Sequence, residues 1–326
     1  MTTDPAALAA RLLEGDRTAV PEALNLVDDE RPEPREHARA LLDALQRNRE
    51  RLRAQRVGIT GAPGAGKSTL LDALVRTLRP DRTVGILAID PSSQRTGGAL
   101  LGDRFRVRSG ALDDGVYLRS MAARDRLGGL ADATSAGVEI LSAVFDFVFV
   151  ETVGVGQSES DVARLVDTLV FVAQPGAGDM LQFMKAGILE LPDVFLVNKA
   201  DLGAPARRTA SELGSGLGLA ATREDGWQSP VLLASARDNE GIPALIEAIE
   251  AHGAHAKTSG TLAKRRLQGR IRGVIEALAS RYGTYGLEQI GGSQTLEIRV
   301  REAEEDSVAT LAQSLGQEIE DALRKP

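Results

Sequence analysis

Hydrophobic positions along the chain follow two different rules. Up to about residue 54 they recur at helical spacing, and Ala38, Leu41, Leu42 and Leu45 share one face. The opening "MTTDPAALAARLL" reads as a capped helix, with Thr3 or Asp4 as the cap and Pro5 in the first turn. "QRNRERLRAQR" then alternates arginine with polar residues, as a solvated helix face does, or a docking surface for an acidic partner. From residue 55 short apolar runs alternate with helical stretches: "RVGIT", "TVGILAID", "DFVFVE", "TLVFVA", "DVFLVNK" and "PVLLASA". They are rich in β-branched residues and apolar on both faces, as strands covered by helices on both sides of a sheet are. The alternation predicts an α/β domain over 55–256, with a mostly parallel sheet and right-handed crossovers.

Near "HAKTSGT" the chain turns polar and loop-like. A helix is expected from about 261 to 282, with Leu267, Ile271, Val274, Ile275 and Leu278 on one face. "QTLEIRVRE" alternates like a strand, and "DSVATLAQSLGQEIEDALRK" reads as a closing helix. The expected organisation is a helical N-terminal extension (1–54), the α/β domain (55–256) and a C-terminal extension (257–326) for dimerisation or partner binding.

Composition narrows the chemistry. A net charge of -7 argues against wholesale binding to nucleic acid or anionic membrane. With no cysteine there is no disulfide framework and no thiolate metal site. The 3 histidines, His37, His252 and His255, do not form a histidine metal motif. The N-terminus lacks the basic start and apolar stretch of a signal peptide. No run approaches the ~18–20 apolar residues of a membrane span. The expectation is a cytoplasmic protein.

The most specific motif is "GAPGAGKST": Gly61, Ala62, Pro63, Gly64, Ala65, Gly66, Lys67, Ser68 and Thr69. Its spacing is that of a P-loop, between a strand and a helix as the mechanism requires. Glycines let successive N–H groups curl around phosphate oxygens, and the helix N-terminus adds partial positive charge. Lys67 is suited to the β- and γ-phosphates, and the Ser68 hydroxyl to Mg²⁺. A chance glycine-rich turn would not require that flanking strand and helix.

"VFLVNKAD" reads the base. Asn198, Lys199 and Asp201 form N-K-x-D at a strand end, where an aspartate accepts from the N1–H and exocyclic amine of guanine. Adenine lacks that donor pair and would leave the acid unpaired. In "LLASARD", Ser235, Ala236 and Arg237 follow in the order expected for backbone contacts to the base. Either segment alone could be a polar turn; a P-loop, N-K-x-D and this loop in order point to GTP and GDP.

In "FDFVFVETVGVGQ" an apolar run ends in Glu151, with Gly154 three residues on. E-x-x-G has the form of the GTPase D-x-x-G, whose glycine N–H senses the γ-phosphate and whose acid holds Mg²⁺, often through water. A glutamate that merely caps the turn would leave a lone acid on a very apolar strand without a cation. Asp90 ends "TVGILAID", and Asp103 lies in the glycine-rich loop beyond. Both are candidates to approach Mg²⁺ with Ser68 and Glu151; Asp103 could instead pair with Arg104 or Arg106.

"GAPGAGKST", "AIDPSSQRTGGALLGDR", "VYLRSMAARDRLGGL", "VETVGVGQSESD", "QPGAGDMLQFMKAGI" and "VNKAD" together resemble the MeaB/ArgK-type GTPases, the family of the methylmalonic aciduria type A protein. The match spans roughly 55–255 and is dense. The resemblance implies a SIMIBI-class P-loop GTPase with glutamate in place of the Walker-B aspartate. It implies a chaperone for an adenosylcobalamin-dependent acyl-CoA mutase, methylmalonyl-CoA mutase or a relative. Adenosylcobalamin would enter only through that partner. It further implies a homodimer, with Lys67, Glu151 and Gly154 in catalysis and Ser68, Asp90, Asp103 and Glu151 around Mg²⁺. Residues 174–187 would be a loop that addresses the mutase. The tail from "YGTYGLEQIGG" departs from the family's C-terminal extension.

The expected reaction is attack of water on the γ-phosphate of GTP. Where many GTPases place a glutamine just after D-x-x-G, this chain has Val155, with Gln157 two residues on. Slow turnover, accelerated by a partner, is therefore expected. Arg95, Arg104, Arg106 and Arg108 are candidates for a charge-stabilising arginine, and spacing does not choose among them. Three rivals stand: a metal-delivery GTPase, which would want Cys or His ligands, a kinase of the ArgK transport type, and a nucleotide-dependent scaffold.

Overall fold

The computed structural model describes residues 4–29, 31–90, 113–122, 129–152, 158–176, 191–218, 223 and 225–324. The chain opens with α1 (Pro5–Leu13), α2 (Val20–Asp28) and α3 (Pro32–Arg47). Asp4 caps α1, its Oδ1 accepting from the Ala6 N–H at 3.0 Å. Strands and helices then alternate: β1 (Gln55–Thr60), α4 (Lys67–Leu78), β2 (Val84–Asp90), β3 (Val116–Ala122), α5 (Gly129–Val144), β4 (Phe147–Thr152), α6 (Ser158–Leu165), β5 (Thr168–Ala173), β6 (Val194–Val197), α7 (Ala204–Leu217), β7 (Val231–Leu233) and α8 (Ile242–Thr258). Three helices follow: α9 (Thr261–Glu288), α10 (Gly292–Glu302) and α11 (Val308–Leu323).

The chain divides into two compact units. One comprises Met1–Ala54, Ala123–Phe145 and Arg266–Pro326. In it α5 packs against α1, α2 and α3, burying Leu8, Leu12, Leu24, Leu41 and Leu45. A further apolar cluster joins Ile271, Val274 and Leu278 to Leu296, Val300, Leu311, Leu315 and Ile319. Asp43 ties the two ends of the sequence together. It accepts from the Ser307 N–H and the Thr310 hydroxyl, each at 2.9 Å, at the start of α11.

The other unit, Gln55–Ala122 and Asp146–Arg265, holds a 7-stranded sheet in the order β3-β2-β4-β1-β5-β6-β7. Every pairing is parallel. The six apolar runs of the sequence are six of these strands. β3, "VYLRSMA", is an edge strand whose Leu118 is 38% exposed, so it carries no unbroken apolar run. Val57, Ile59, Val170, Val172, Val194 and Leu196 pack with Leu70, Leu74 of α4 and Leu245, Ile249 of α8.

Two expectations at the C-terminal end need correction. "QTLEIRVRE" is not a strand but α10. A strand would send Leu296, Ile298 and Val300 to one face. Instead Leu296 and Val300, four apart, are buried and Ile298 is 56% exposed. "HAKTSGT" is not a loop for most of its length: α8 continues through Thr258, with His252 and Ala256 buried on its inner face. The helix expected over 261–282 is present and breaks at Gly283, whose φ is +66°.

At the N-terminal end of β6, Asp193 is fully buried. Arg265 grips it with two bonds of 2.7 and 2.8 Å, Arg223 adds a contact at 2.9 Å, and the Leu169 N–H donates at 2.8 Å. The buried His252 places Nε2 3.2 Å from Asp193 and Nδ1 2.9 Å from the Thr168 hydroxyl. Trp227 donates to the Asp193 carbonyl at 2.9 Å and stacks edge-on to His252. Burial pushes the Asp193 carboxyl up, but Arg265 and His252 together pull it well below the usual carboxylate range.

Because that carboxyl is depressed, its contribution to stability is present above its unfolded value, about 4, and fades as pH falls below it. Asp193→Asn leaves the Arg265 guanidinium without its hydrogen-bonded anion and takes from Arg223 one of two, Asp225 remaining at 3.6 Å, and should cost at least ~3 kcal/mol. Urea unfolding followed by emission of Trp227, the sole tryptophan, measures this. Wild type should lose stability between pH 5 and 3 more steeply than the variant.

Candidate functional site

The P-loop follows the C-terminal end of β1, at the centre of the sheet. Gly61 has φ +140°, and a Cβ there would lie 2.1 Å from the Val172 carbonyl oxygen. Gly66, at φ +91°, precedes α4, and its Cβ would lie 2.5 Å from Asn198 Nδ2. Backbone that no side chain could occupy thus brings the loop to the first turn of α4, where unpaired N–H groups concentrate. Lys67, buried, donates to the carbonyls of Gly61 at 2.8 Å and Ala62 at 3.1 Å.

Glu151 is the penultimate residue of β4 and is 5% exposed. The Ser68 hydroxyl donates to its Oε1 at 2.9 Å. Its Oε2 is buried and, among the described residues, has no hydrogen-bond partner. Burial pushes the Glu151 carboxyl up, and Ser68 and Lys67 only partly oppose that. A buried carboxylate with one orphan oxygen, bonded to a hydroxyl, is an all-oxygen donor set. It fits a hard divalent cation such as Mg²⁺.

Of the other predicted metal residues, Asp90 closes β2, whose Ala88 pairs with Glu151, so its backbone lies at the same end of the sheet. Asp103 and Gly154 lie outside the described residues, as do Val155, Gln157, the four candidate arginines and positions 177–187 of the expected partner loop.

The residues expected to read the base converge on one another. The Asn198 amide donates to the Ala65 carbonyl at 2.9 Å and accepts from the Ala236 N–H at 3.1 Å. One buried side chain thereby joins the P-loop to the loop after β7. Lys199, in left-handed backbone at φ +60°, sends its ammonium to the Gly64 carbonyl at 2.7 Å and to Gln174 at 3.2 Å. Asp201 accepts at Oδ1 from the Ser235 hydroxyl at 2.9 Å. Its Oδ2 lies 3.2 Å from the Arg237 guanidinium. Pro63, within the loop, and Thr69, in the first turn of α4, complete the predicted set.

Sequence reasoning passed over two residues here. Gln174 caps β5 and receives Lys199; it was visible only as part of "QPGAGD". Asp238 was visible only as the last letter of "LLASARD". Its carboxylate accepts from Arg237 Nε at 3.1 Å and Nη2 at 3.2 Å, and one oxygen lies 2.9 Å from the Ser235 hydroxyl. Arg237 first, then Ser235, holds the Asp238 carboxyl below its ordinary value.

A profile of the MeaB family, described as methylmalonyl-CoA mutase-associated GTPase, matches residues 20–282. A protein of Pyrococcus abyssi is 45% identical over 278 residues, 84% of this chain and 83% of that one. The mitochondrial methylmalonic aciduria type A homolog of Mus musculus is 38% identical over 268 residues, 78% of this chain and 64% of that one. Among solved structures, a LAO/AO transport system kinase superposes with a TM-score of 0.68 at 26% identity, covering 98% of this chain and 99% of that one. The sheet order, the P-loop cradle and these relationships agree: this chain belongs to the MeaB family of P-loop GTPases.

Proposed function

We propose that this protein binds GTP with Mg²⁺, hydrolyses it to GDP and phosphate, and uses the two nucleotide states to assist an adenosylcobalamin-dependent acyl-CoA mutase, methylmalonyl-CoA mutase or a relative. The observation that carries the nucleotide part is the Asn198 amide, which fastens the phosphate loop and the base loop to each other. The mutase part rests on family membership.

In this reading Lys67 and the N–H groups of the first turn of α4 neutralise the phosphates, and Asp201 accepts from guanine. Ser68 and Glu151, with Asp90 and Asp103, would hold Mg²⁺, which supplies charge neutralisation on the β- and γ-phosphate oxygens. Gly154 would sense the γ-phosphate through its N–H. Ser235, Ala236 and Arg237 would frame the base. The absence of cysteine from the sequence disfavours the metal-delivery alternative. A kinase would need an acceptor site, and none of the residues gathered here provides one.

The direct test is calorimetry with GDP and ADP, phosphate release from GTP, and capture from lysate with a GTP analogue or GDP loaded. Preference for GDP, slow phosphate release and a mutase whose recovery differs between the two states support the reading. Equal affinity for ADP, or capture that ignores nucleotide, overturns it.

Two substitutions sharpen the test. Asp201→Asn replaces an acceptor by a donor-bearing amide, so GDP affinity should drop by about 100-fold while xanthosine diphosphate, with its 2-oxo group, gains. Glu151→Gln keeps the shape but removes the buried charge. The Mg²⁺ concentration for half-maximal GTP hydrolysis should rise by roughly tenfold, while the thermal midpoint of the protein without nucleotide holds or rises.

A further inference from the structure

Asp238 has no place in the P-loop or in N-K-x-D, yet it sits at the back of the group that reads the base. The loop that carries it is held tightly. The Ser235 N–H donates to the Glu240 carbonyl at 3.0 Å, and the Glu240 N–H returns to the Ser235 carbonyl at 3.1 Å. Asn239 takes left-handed backbone at φ +60°. Gly241, at φ +73°, sits where a Cβ would lie 2.3 Å from the Leu233 carbonyl oxygen. This closed turn fixes where Arg237 and Asp238 stand relative to Asp201.

The donors around the two carboxylates are unequally shared. Arg237 gives Asp238 two hydrogen bonds, from Nε at 3.1 Å and Nη2 at 3.2 Å. To Asp201 it offers charge alone: Nη2 stands 3.2 Å from Oδ2, in ion-pair range but with no hydrogen bond. A carboxylate has about four acceptor positions, and guanine needs two of them, side by side. On Asp201 the Ser235 hydroxyl, whose single proton is shared with Asp238 at the same 2.9 Å, takes at most one, at Oδ1. Arg237 supplies the cation that two neighbouring acids require without consuming the lone pairs of Oδ2. What turns its donors away from Oδ2 is Asp238.

We infer that Asp238 is a positioning residue for guanine recognition: by holding the Arg237 fork it keeps Asp201 Oδ2 open to the base. This rests on the proposal that Asp201 reads guanine. Remove Asp238 and the same guanidinium, already 3.2 Å away, is free to turn its N–H groups onto Asp201. Arg237 then becomes a competitor of the nucleotide.

The consequence is a sign that a merely structural role would not give. Asp238→Ala should weaken GDP binding by about tenfold, since one charge-assisted bond of the base must now displace another. Asp238→Asn, which keeps the volume and weakens the hold on Arg237, should do so by a smaller factor. In an Arg237→Ala background, where the competitor has gone, adding Asp238→Ala should cost GDP binding little further, whatever Arg237 itself gives the base. Pyrophosphate, which has no base, should bind all five proteins alike.

Calorimetry of GDP, ADP and pyrophosphate on the wild type, Asp238→Ala, Asp238→Asn, Arg237→Ala and the double variant decides it. Loss of GDP affinity on adding Asp238→Ala to the wild type, but not on adding it to Arg237→Ala, supports the inference. An Asp238→Ala protein that binds GDP like the wild type overturns it, as does an equal loss in the Arg237→Ala background. A parallel loss of pyrophosphate affinity also overturns it, since that marks general damage. If the wild type itself fails to prefer GDP over ADP, the guanine reading falls first, and the two failures are thereby distinguished.

Discussion

One buried amide holds the site together. Asn198 leaves β6 and bonds at once to the P-loop through Ala65 and to the loop after β7 through Ala236. Both its partners are backbone groups, so its demands fall on main-chain position rather than on residue type. They also explain a glycine at position 66, where any Cβ would collide with that amide. An amide can meet an N–H and a carbonyl at once because it carries both a donor and an acceptor. An aspartate could not donate to Ala65, and a leucine could do neither. Inside a protein, where an unmet polar group is expensive, this double bond defines one geometry for both loops. Asp201, three residues on, inherits its place from it.

Two buried acids in the same unit show opposite solutions to the cost of burial. Asp193 is surrounded by Arg265, Arg223 and His252, and its carboxyl is held far below the usual range. Every part of its charge is met by protein, as a structural ion cluster requires. Glu151 has one hydroxyl on one oxygen, an orphan second oxygen and a carboxyl pushed upward. Nothing in packing calls for a glutamate there, since the strand around it is apolar and buried. The two acids differ in what they leave unfinished, and an unfinished buried acid is the one that fits a cation.

The sheet was legible because a strand buried on both faces has little freedom of composition. Six of seven strands announced themselves as apolar runs, and β3 did not, because an edge strand tolerates Arg119 and Ser120. The P-loop and N-K-x-D were legible because their chemistry fixes spacing, glycine and charge together. The C-terminal helices were less so. In "QTLEIRVRE" the apolar residues alternate, yet only two of the three are buried, and alternation cannot say which. That α5 groups with the N-terminal helices has no sequence signal, since an amphipathic helix looks the same whichever surface it covers. Asp238 was illegible for a different reason: its partners are Ser235 and Arg237, and a three-residue neighbourhood of polar side chains reads as an ordinary turn.

The bonds within the site also set how tightly it can hold a nucleotide. Lys67 donates to two carbonyls, Ser68 to Glu151, Lys199 to Gly64 and Gln174, and Ser235 to Asp201. A ligand that engages Lys67 or Ser68 must therefore exchange bonds rather than add them, and the net gain of each exchange is a fraction of the bond's gross strength. The exchange has a second effect. Groups already held in place lose little freedom when the ligand arrives, so the entropic penalty of ordering long lysine side chains is met in folding rather than in binding. Affinity is moderated while geometry is kept, and moderated affinity would suit the proposed exchange between two nucleotide states. Asp201 Oδ2, beside the Arg237 guanidinium, and the buried Glu151 Oε2 both escape this exchange, and of the two only Glu151 Oε2 has no partner among the described residues. A cation held by Glu151 Oε2 would replace no bond to another described residue, and the sharpest dependence on a ligand should therefore lie with the metal rather than with the base or the phosphates.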